Sequence, residues 1–131
     1  MHPLAHGIDL VPVARIARML EKHGDPFRLR CFTPGERAYC EANPKRRAEH
    51  YAARFAAKEA ALKALGTGWA RGITWHDVAV TRDPAGQPGL ALAGRAAEIA
   101  AKTGIDHWLV SLSHTDDHAI ASVIAWGAES G

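Results

Sequence analysis

The 131-residue sequence has few of the features that mark secreted, membrane or nucleic-acid-binding proteins. Its two cysteines, Cys31 and Cys40, provide neither a disulfide framework nor the spacing of a zinc site. No apolar run is long enough to span a bilayer, and the first residues lack the basic and apolar regions of a secretory signal. A net charge of +2 is too small to indicate nucleic-acid binding by itself. We therefore expect a cytoplasmic protein that binds neither membranes nor nucleic acid.

Internal repeats, low-complexity segments and linkers are also missing, so we expect a single domain over residues 1–131. Hydrophobic residues make up 47% of the chain, which is enough for a globular protein to bury its own core. The basic residues are clustered, at 15–22, at Arg28 and Arg30, and at 45–47. Such local patches suit a polyanionic ligand or an acidic partner.

A strand and an amphipathic helix are predicted at the start of the chain. The apolar stretch at 7–11 favours a strand, and Pro12 suits the first position of the helix that follows. Residues spaced i, i+3 and i+7 form the buried face of this helix, and basic residues with the same spacing form the opposite face. The buried residues are Val13, Ile16 and Leu20, and the basic residues are Arg15, Arg18 and Lys22. Gly24 is expected to end the helix.

Two further helices are predicted before the middle of the chain. The segment from Thr33 to Glu36 has the pattern of a capping box, which indicates the start of a short helix that ends before Pro44. A basic loop at 44–47 then leads into the longest helix, expected over 48–65 and terminated by the glycine-rich segment 66–68.

The second half of the chain is expected to consist mainly of strands. Alternating apolar residues predict strands and a final hairpin, with a bulge near His76 and Asp77. The expected strands are 73–75, 78–80, 90–92, 107–113 and 118–126, and the expected helix is 95–102. We therefore predict an α+β fold with a small antiparallel sheet, a long central helix and flanking helices.

Two acidic residues on separate elements are candidates for a metal site. Asp9 lies within the first predicted strand, where aspartate is disfavoured, and Glu59 lies beside the apolar face of the long helix. Alone, Glu59 and Lys63 would form an ordinary surface ion pair, and Asp9 would be a turn or cap residue. Two such carboxylates are also a common protein contribution to a magnesium site, whose other ligands are phosphate oxygens and water.

Three segments, in this order, resemble the holo-acyl-carrier-protein synthase family of phosphopantetheinyl transferases. They are Gly7-Ile8-Asp9-Leu10-Val11 with Arg15-Ile16, the block 55–68, and Ser111-Leu112-Ser113-His114. The central block, FAAKEAALKALGTG, is the most specific of the three. The resemblance implies a 4'-phosphopantetheinyl transferase-like fold. It also implies transfer of the 4'-phosphopantetheine arm of coenzyme A to a serine of apo-acyl carrier protein, for fatty acid biosynthesis.

The resemblance implies a role for each residue that matches a family motif. Asp9 and Glu59 fall on the family's magnesium ligands, and Glu59 is also a candidate to accept the serine proton. Lys63 falls on a basic position that neutralises phosphate oxygens and assists the departing 3',5'-ADP. The other positions implied in coenzyme A binding are Lys45, Arg46, Arg54, Lys58, Gly66, Thr67, Gly68 and His114.

The resemblance further implies an acidic acyl carrier protein as partner and a homotrimer with active sites at the subunit interfaces. The stripe Arg15, Arg18, Lys22, together with Arg28, is then expected to dock the carrier. Without such a partner the same stripe would be a solvated helix face.

Two alternatives remain open from the sequence. One is a phosphopantetheinyl transferase for carrier domains of polyketide or peptide synthases, although those relatives are usually longer pseudo-dimers. The other is a non-catalytic basic module that binds an acidic protein, which would leave Asp9 and Glu59 without a role. The tryptophans are expected to be core or subunit-interface anchors, and they are Trp69, Trp75, Trp108 and Trp126.

Overall fold

The computed structural model describes residues 1–128 as a mixture of helices and antiparallel strands. The strands are β1 (His2–Pro12), β2 (Val78–Arg82), β3 (Pro88–Leu92), β4 (Ile105–His114) and β5 (His118–Gly127). The helices are α1 (Val13–Cys31), α2 (Pro34–Glu41), α3 (Arg47–Leu65) and α4 (Gly94–Thr103). One antiparallel sheet has the order β1-β5-β4, and β2 pairs with β3 in a second. The predicted α+β fold is confirmed.

The inner face of the three-stranded sheet packs against α3, and this contact forms the core. Every second residue of β5 is small and fully buried, and these residues are Ala119, Ala121, Val123 and Ala125. Small side chains allow the helix to approach the sheet closely. The approach is very close at Gly7, where an added Cβ would lie only 1.9 Å from the carbonyl oxygen of Ala60. Asp9 lies two residues further along β1 and therefore faces α3 as well.

The helix boundaries follow the local signals in the sequence. Thr33 and Glu36 form the predicted capping box, with the Glu36 amide donating to the Thr33 hydroxyl at 3.2 Å. Gly66 ends α3 in the left-handed region, with φ of 78°. Gly24 interrupts α1 with φ of 49°, but helical structure resumes directly after it. Pro26 is tolerated there because the first turn of a helix does not need its missing amide.

The prediction of a strand at 73–75 is wrong. The chain instead forms a short 3₁₀ turn, Trp75–Asp77, before β2 begins. Asp77 lies 3.1 Å from the amide of Thr74, which donates a hydrogen bond to its carboxylate. A side chain that binds a nearby backbone amide competes with strand pairing, and here the local bond prevails.

Glu41 joins three helices through its carboxylate. It accepts hydrogen bonds from Arg28 on α1 at 3.0 Å, and from Arg47 and Tyr51 on α3, each at 2.6 Å. Burial alone would raise the pKa of Glu41, but the hydrogen bonds from Arg47, Tyr51 and Arg28 outweigh it and lower the pKa to about 2. Arg28 also pairs with Asp25, so its guanidinium is committed to holding α1 in place.

No helix within residues 1–128 combines the length and the apolar character that a membrane crossing requires. The buried side chains instead form two adjoining clusters, one between α1, α3 and the sheet and one between α3, β2 and α4. α3 contributes to both clusters, which is why most of its residues are buried.

The close contact between β1 and α3 can be tested with Gly7→Ala. The added methyl group would overlap the Ala60 carbonyl, so the free energy of unfolding should fall by roughly 3 kcal/mol. Urea unfolding followed by circular dichroism measures this change. The matched control is Gly35→Ala on α2, where an added Cβ meets no atom within 4 Å and stability should not decrease. Equal unfolding midpoints for Gly7→Ala and the wild type would contradict the packing described.

Candidate active site

Asp9 and Lys63 meet where β1 packs on the C-terminal half of α3. The Lys63 ammonium lies 3.0 Å from Asp9 Oδ1 and donates to the carbonyl oxygen of Ile8, also at 3.0 Å. The Asp9 side chain is only 17% exposed, whereas that of Lys63 is 57% exposed. A sheltered carboxylate therefore already holds a cation that reaches in from solvent.

Glu59 lies one helical turn before Lys63 on the same face of α3, which places it beside this pair. Its Oε1 accepts a hydrogen bond from the indole Nε1 of Trp69 at 3.0 Å. Gly66 and Gly68, with φ of 78° and 58°, turn the chain back so that Trp69 returns along the helix. The sequence pattern did not indicate this role of Trp69. The available signal was a tryptophan directly after a glycine-rich helix end.

The oxygen atoms of Asp9 and Glu59 suit a magnesium ion. In each carboxylate, the hydrogen bond described above takes one oxygen, so the second oxygen can accept a ligand. Magnesium prefers hard oxygen ligands and usually keeps several water or phosphate ligands. Within residues 1–128, no three side chains of His, Cys, Asp or Glu are grouped to hold a metal by themselves. The donor set therefore fits an ion that is bound partly by protein and partly by a phosphate-bearing substrate.

A second polar cluster lies at the N-terminal end of α3. Glu49 Oε2 is 2.9 Å from Nδ1 of His114, at the end of β4, and 3.1 Å from the guanidinium of Arg46. The ring of His50 packs edge-on against His114, with centroids 5.6 Å apart. Burial lowers the pKa of His50, and Arg54 and His114 add to this effect. Lys45, which precedes Arg46, is exposed. The cluster therefore has more basic side chains than acidic ones, since Glu49 is its one carboxylate.

Arg54 is buried against α2, with a guanidinium nitrogen that lacks a partner. Its guanidinium lies 3.9 Å from the centroid of the Tyr39 ring, and that of Arg82 lies 4.4 Å from the same ring. The Arg54 side chain lines a hollow of about 340 Å³ together with Tyr39 and Arg82. Its Nη2 has no hydrogen-bond acceptor within the described part of the chain. A buried guanidinium with an unused donor favours an anionic ligand.

Lys58 does not reach either cluster, because it is fully enclosed. Its ammonium lies 2.7 Å from Glu36 Oε1, with both side chains completely buried, and donates to the carbonyl oxygen of Trp75 at 3.0 Å. The other Glu36 oxygen accepts from the amide of Val80 at 2.6 Å. Burial lowers the pKa of Lys58, and Glu36 opposes this effect. The pair thus ties α2, α3 and β2 together.

The predicted coenzyme A residues therefore divide into two groups on the chain. Lys63 and Glu59 project from one side of α3, near the glycine-rich segment 66–68. Arg54 projects from the opposite side, because nine residues at about 100° per residue turn it half a rotation from Lys63. His114 lies with Arg46 at the other end of the helix. One chain alone does not bring the two groups together.

The basic stripe on α1 borders an apolar groove. Arg15, Arg18 and Lys22 are exposed, and the Arg15 guanidinium lies 5.5 Å from the ring centroid of Phe55. The groove has a volume of about 450 Å³, and its apolar lining includes Met19, Pro26, Phe27, Phe55 and Trp75. Phe55 thus belongs to the groove and also contacts the stripe, so the two form one continuous surface.

Comparison with known proteins places this arrangement in a family. The model of the 4'-phosphopantetheinyl transferase superfamily matches residues 5–123. The holo-[acyl-carrier-protein] synthase of Desulforudis audaxviator is 53% identical over 126 residues, which cover 95% of this chain and 93% of that protein. The protein of the same name from Koribacter versatilis is 48% identical over 121 residues, covering 92% of this chain and 96% of the relative.

Solved structures agree with this result. The crystal structure of holo-[acyl-carrier-protein] synthase from Neisseria meningitidis has a TM-score of 0.82 and 32% identity. This match covers 93% of the present chain and 97% of the Neisseria meningitidis chain. The Helicobacter pylori holo-[acyl-carrier-protein] synthase in complex with coenzyme A has a TM-score of 0.81 and 29% identity. This match covers 92% of the present chain and 99% of the Helicobacter pylori chain. This chain therefore belongs to the 4'-phosphopantetheinyl transferase superfamily.

Proposed function

We propose that this chain transfers the 4'-phosphopantetheine arm of coenzyme A to a serine of apo-acyl carrier protein, releasing adenosine 3',5'-bisphosphate. The observation that carries the proposal is the cluster of Asp9, Glu59 and Lys63, in which the Lys63 ammonium lies 3.0 Å from Asp9 Oδ1 and Glu59 lies one helical turn before Lys63. Relatives named holo-[acyl-carrier-protein] synthase, and one of them in complex with coenzyme A, support the same reaction. The cytoplasmic location and the link to fatty acid biosynthesis remain predictions from the sequence.

In the proposed reaction, the carrier serine attacks the β-phosphorus of coenzyme A, and the bond from that phosphorus to the oxygen of 3',5'-ADP breaks. A magnesium ion held by Asp9 and Glu59 would neutralise charge on the phosphate oxygens. Lys63 is more than half exposed, so its ammonium can swing from Asp9 to the leaving phosphate and stabilise the charge that develops there. Both carboxylate oxygens of Glu59 are engaged in this arrangement, so we expect Glu59 to take up the serine proton through a bridging water molecule. The chain thus acts mainly by positioning and electrostatics, as is usual in phosphoryl transfer.

Coenzyme A would be held through its phosphates by Arg54 and by basic residues of the second polar cluster. The unpaired Nη2 of Arg54 and the ring of His114 supply donors, and Lys45 and Arg46 add positive charge. Gly66, Thr67 and Gly68 would lie along the adenine, where the small residues allow a close backbone approach. Lys58 receives a different role, because its buried pair with Glu36 holds α3 in place.

We further propose a homotrimer in which each active site is shared between two subunits. The outer face of the three-stranded sheet exposes apolar side chains: Ile8 is 49%, Leu10 59%, Leu109 49% and Ile120 37% exposed. Leu10 and Ile120 are paired across adjacent strands and Ile8 lies on the same face of β1, so these three side chains form a patch of the kind that marks subunit contacts. A second copy on this patch would supply the basic cluster that the carboxylate cluster lacks within its own chain.

The carrier protein would dock on the surface made of the basic stripe and the apolar groove. Arg15, Arg18 and Lys22 are exposed on one face of α1, so they suit an acidic helix. The adjoining groove accommodates that helix's apolar side chains in the helix-in-groove mode. Arg28 is left out of this surface, because Glu41 and Asp25 already bind it.

The proposed reaction is tested with the isosteric variants Asp9→Asn and Glu59→Gln. Each removes one negative charge from the cluster without changing its shape, so the transfer rate should fall at least about 100-fold. The measurement is mass spectrometry of apo-acyl carrier protein incubated with coenzyme A, Mg²⁺ and each variant. Glu98→Gln is the matched control, since Glu98 is an exposed carboxylate paired only with Arg95 in the described structure. Wild-type rates in either cluster variant would refute the assignment.

The docking surface is tested by Arg15→Glu. Reversing this charge should raise the KM for the carrier protein by about tenfold and make it less sensitive to salt, because a rim charge steers association. The dissociation constant of coenzyme A should not change. Lys102→Glu, on α4 and outside the stripe, is the matched charge reversal. An unaltered carrier KM in Arg15→Glu would show that the carrier binds elsewhere.

The shared active site is tested by mixing two inactive variants, Asp9→Asn and His114→Ala, in co-expressed trimers. A site that draws its carboxylates from one subunit and His114 from the next is intact at roughly one quarter of interfaces after random assembly, so activity should return to that level. The control mixes Asp9→Asn with Glu59→Gln, which damage the same cluster and should not rescue each other. If the mixture of Asp9→Asn and His114→Ala forms trimers, as confirmed by mass, but regains no transfer activity, each active site lies within one chain.

A further inference from the structure

Trp69 has a defined relation to Glu59 that the proposed reaction does not yet use. Its indole Nε1 donates to Glu59 Oε1 at 3.0 Å. This is the one hydrogen bond that the Glu59 carboxylate accepts within the described residues. An indole nitrogen is a donor only, so this bond has a single orientation. It fixes which oxygen of Glu59 is engaged and which is presented to a ligand.

The indole ring of Trp69 is itself held in place by a stack of aromatic rings. Its centroid lies 3.7 Å from that of Trp75, with an angle of 31° between the planes, and Trp75 lies 5.0 Å from Phe55 at the same angle. Trp75 is fixed in turn, because its carbonyl oxygen accepts from the buried ammonium of Lys58. A donor anchored in this way restricts the carboxylate it binds rather than following its motion.

The charge of the donor matters as much as its position. Lys63 binds Asp9 with a full positive charge, which opposes the approach of a second cation to the same carboxylate. The indole of Trp69 is neutral, so its bond to Glu59 remains compatible with a divalent ion on the other oxygen. The two carboxylates of the cluster therefore differ in their hydrogen-bond donors. Asp9 is bound by the charged Lys63, which a metal ion can displace, and Glu59 is bound by the neutral Trp69, which can stay in place when the ion binds.

We infer that Trp69 is a positioning residue that orients the Glu59 carboxylate for the divalent cation. The inference rests on the proposed function, because it takes Glu59 as a ligand of that ion. Hydrogen-bond partners behind a metal ligand typically contribute 10- to 100-fold to metal affinity. Loss of this donor should therefore weaken cation binding by about tenfold, even when no carrier protein is present to react.

The test compares Trp69→Phe, which keeps a ring on Trp75 but removes the N–H donor, with Trp75→Phe, which alters the same stack and keeps the donor. Mn²⁺ binding is measured by calorimetry on protein saturated with coenzyme A, whose phosphates supply further ligands, and folding is checked by urea unfolding. We expect about tenfold weaker Mn²⁺ binding in Trp69→Phe, and binding within about threefold of wild type in Trp75→Phe. Equal losses in both variants would overturn the inference, since the stack and not the donor would then set the affinity.

A second measurement uses the wild-type protein and does not depend on a variant that folds. In protein labelled with ¹⁵N-tryptophan, one of the four indole N–H signals should shift when Mg²⁺ is added, because Glu59 then shares its charge with the ion. Four unmoved signals in a protein that binds Mg²⁺ would overturn the role of Trp69 and leave the proposed function standing. A wild-type protein that binds neither Mg²⁺ nor Mn²⁺ and transfers no phosphopantetheine would overturn both.

Discussion

The close packing of β1 against α3 is the contact on which the candidate site depends. Gly7 lets the strand approach until its backbone nearly touches the helix at Ala60, and Asp9 follows on the same face. Lys63 can then bind both the Asp9 carboxylate and the preceding carbonyl. A larger residue at position 7 would separate the strand from the helix, and the two elements would no longer present their charged groups to one ligand.

Burial decides what each charged residue of α3 can do. Lys58 and Glu59 are neighbours in sequence, yet Lys58 is enclosed in a pair with Glu36 while Glu59 faces the open side of the helix. A buried ion pair contributes little net stability, but loss of either partner would leave an uncompensated charge. The pair with Glu36 therefore fixes the rotation of α3, and this rotation turns Glu59 and Lys63 towards β1.

Local sequence patterns predicted much of the fold, because helix starts and ends depend on interactions between residues that are close in the sequence. The hydrogen bonds between Thr33 and Glu36 start α2, and the positive φ of Gly66 ends α3. Both features involve only a few consecutive residues, so the sequence alone predicts them. Asp9 and Glu59 were found as candidates because a charge in a strand or beside an apolar helix face is unusual, and the family resemblance joined them. The strand predicted at 73–75 is wrong because the apolar alternation on which it was based does not reveal the hydrogen bond from the Thr74 amide to Asp77, which forms a turn there.

Long-range partners account for what the sequence did not reveal. The burial of Lys58 depends on Glu36, twenty-two residues away, and Trp69 meets Glu59 only after the chain reverses at two glycines. The position of Arg54 on the far side of α3 has a further consequence. In the proposed trimer, each α3 would carry part of one site and part of the next. Three copies of this one helix would then hold all three sites, so a substitution that displaces α3 would damage two neighbouring sites at once.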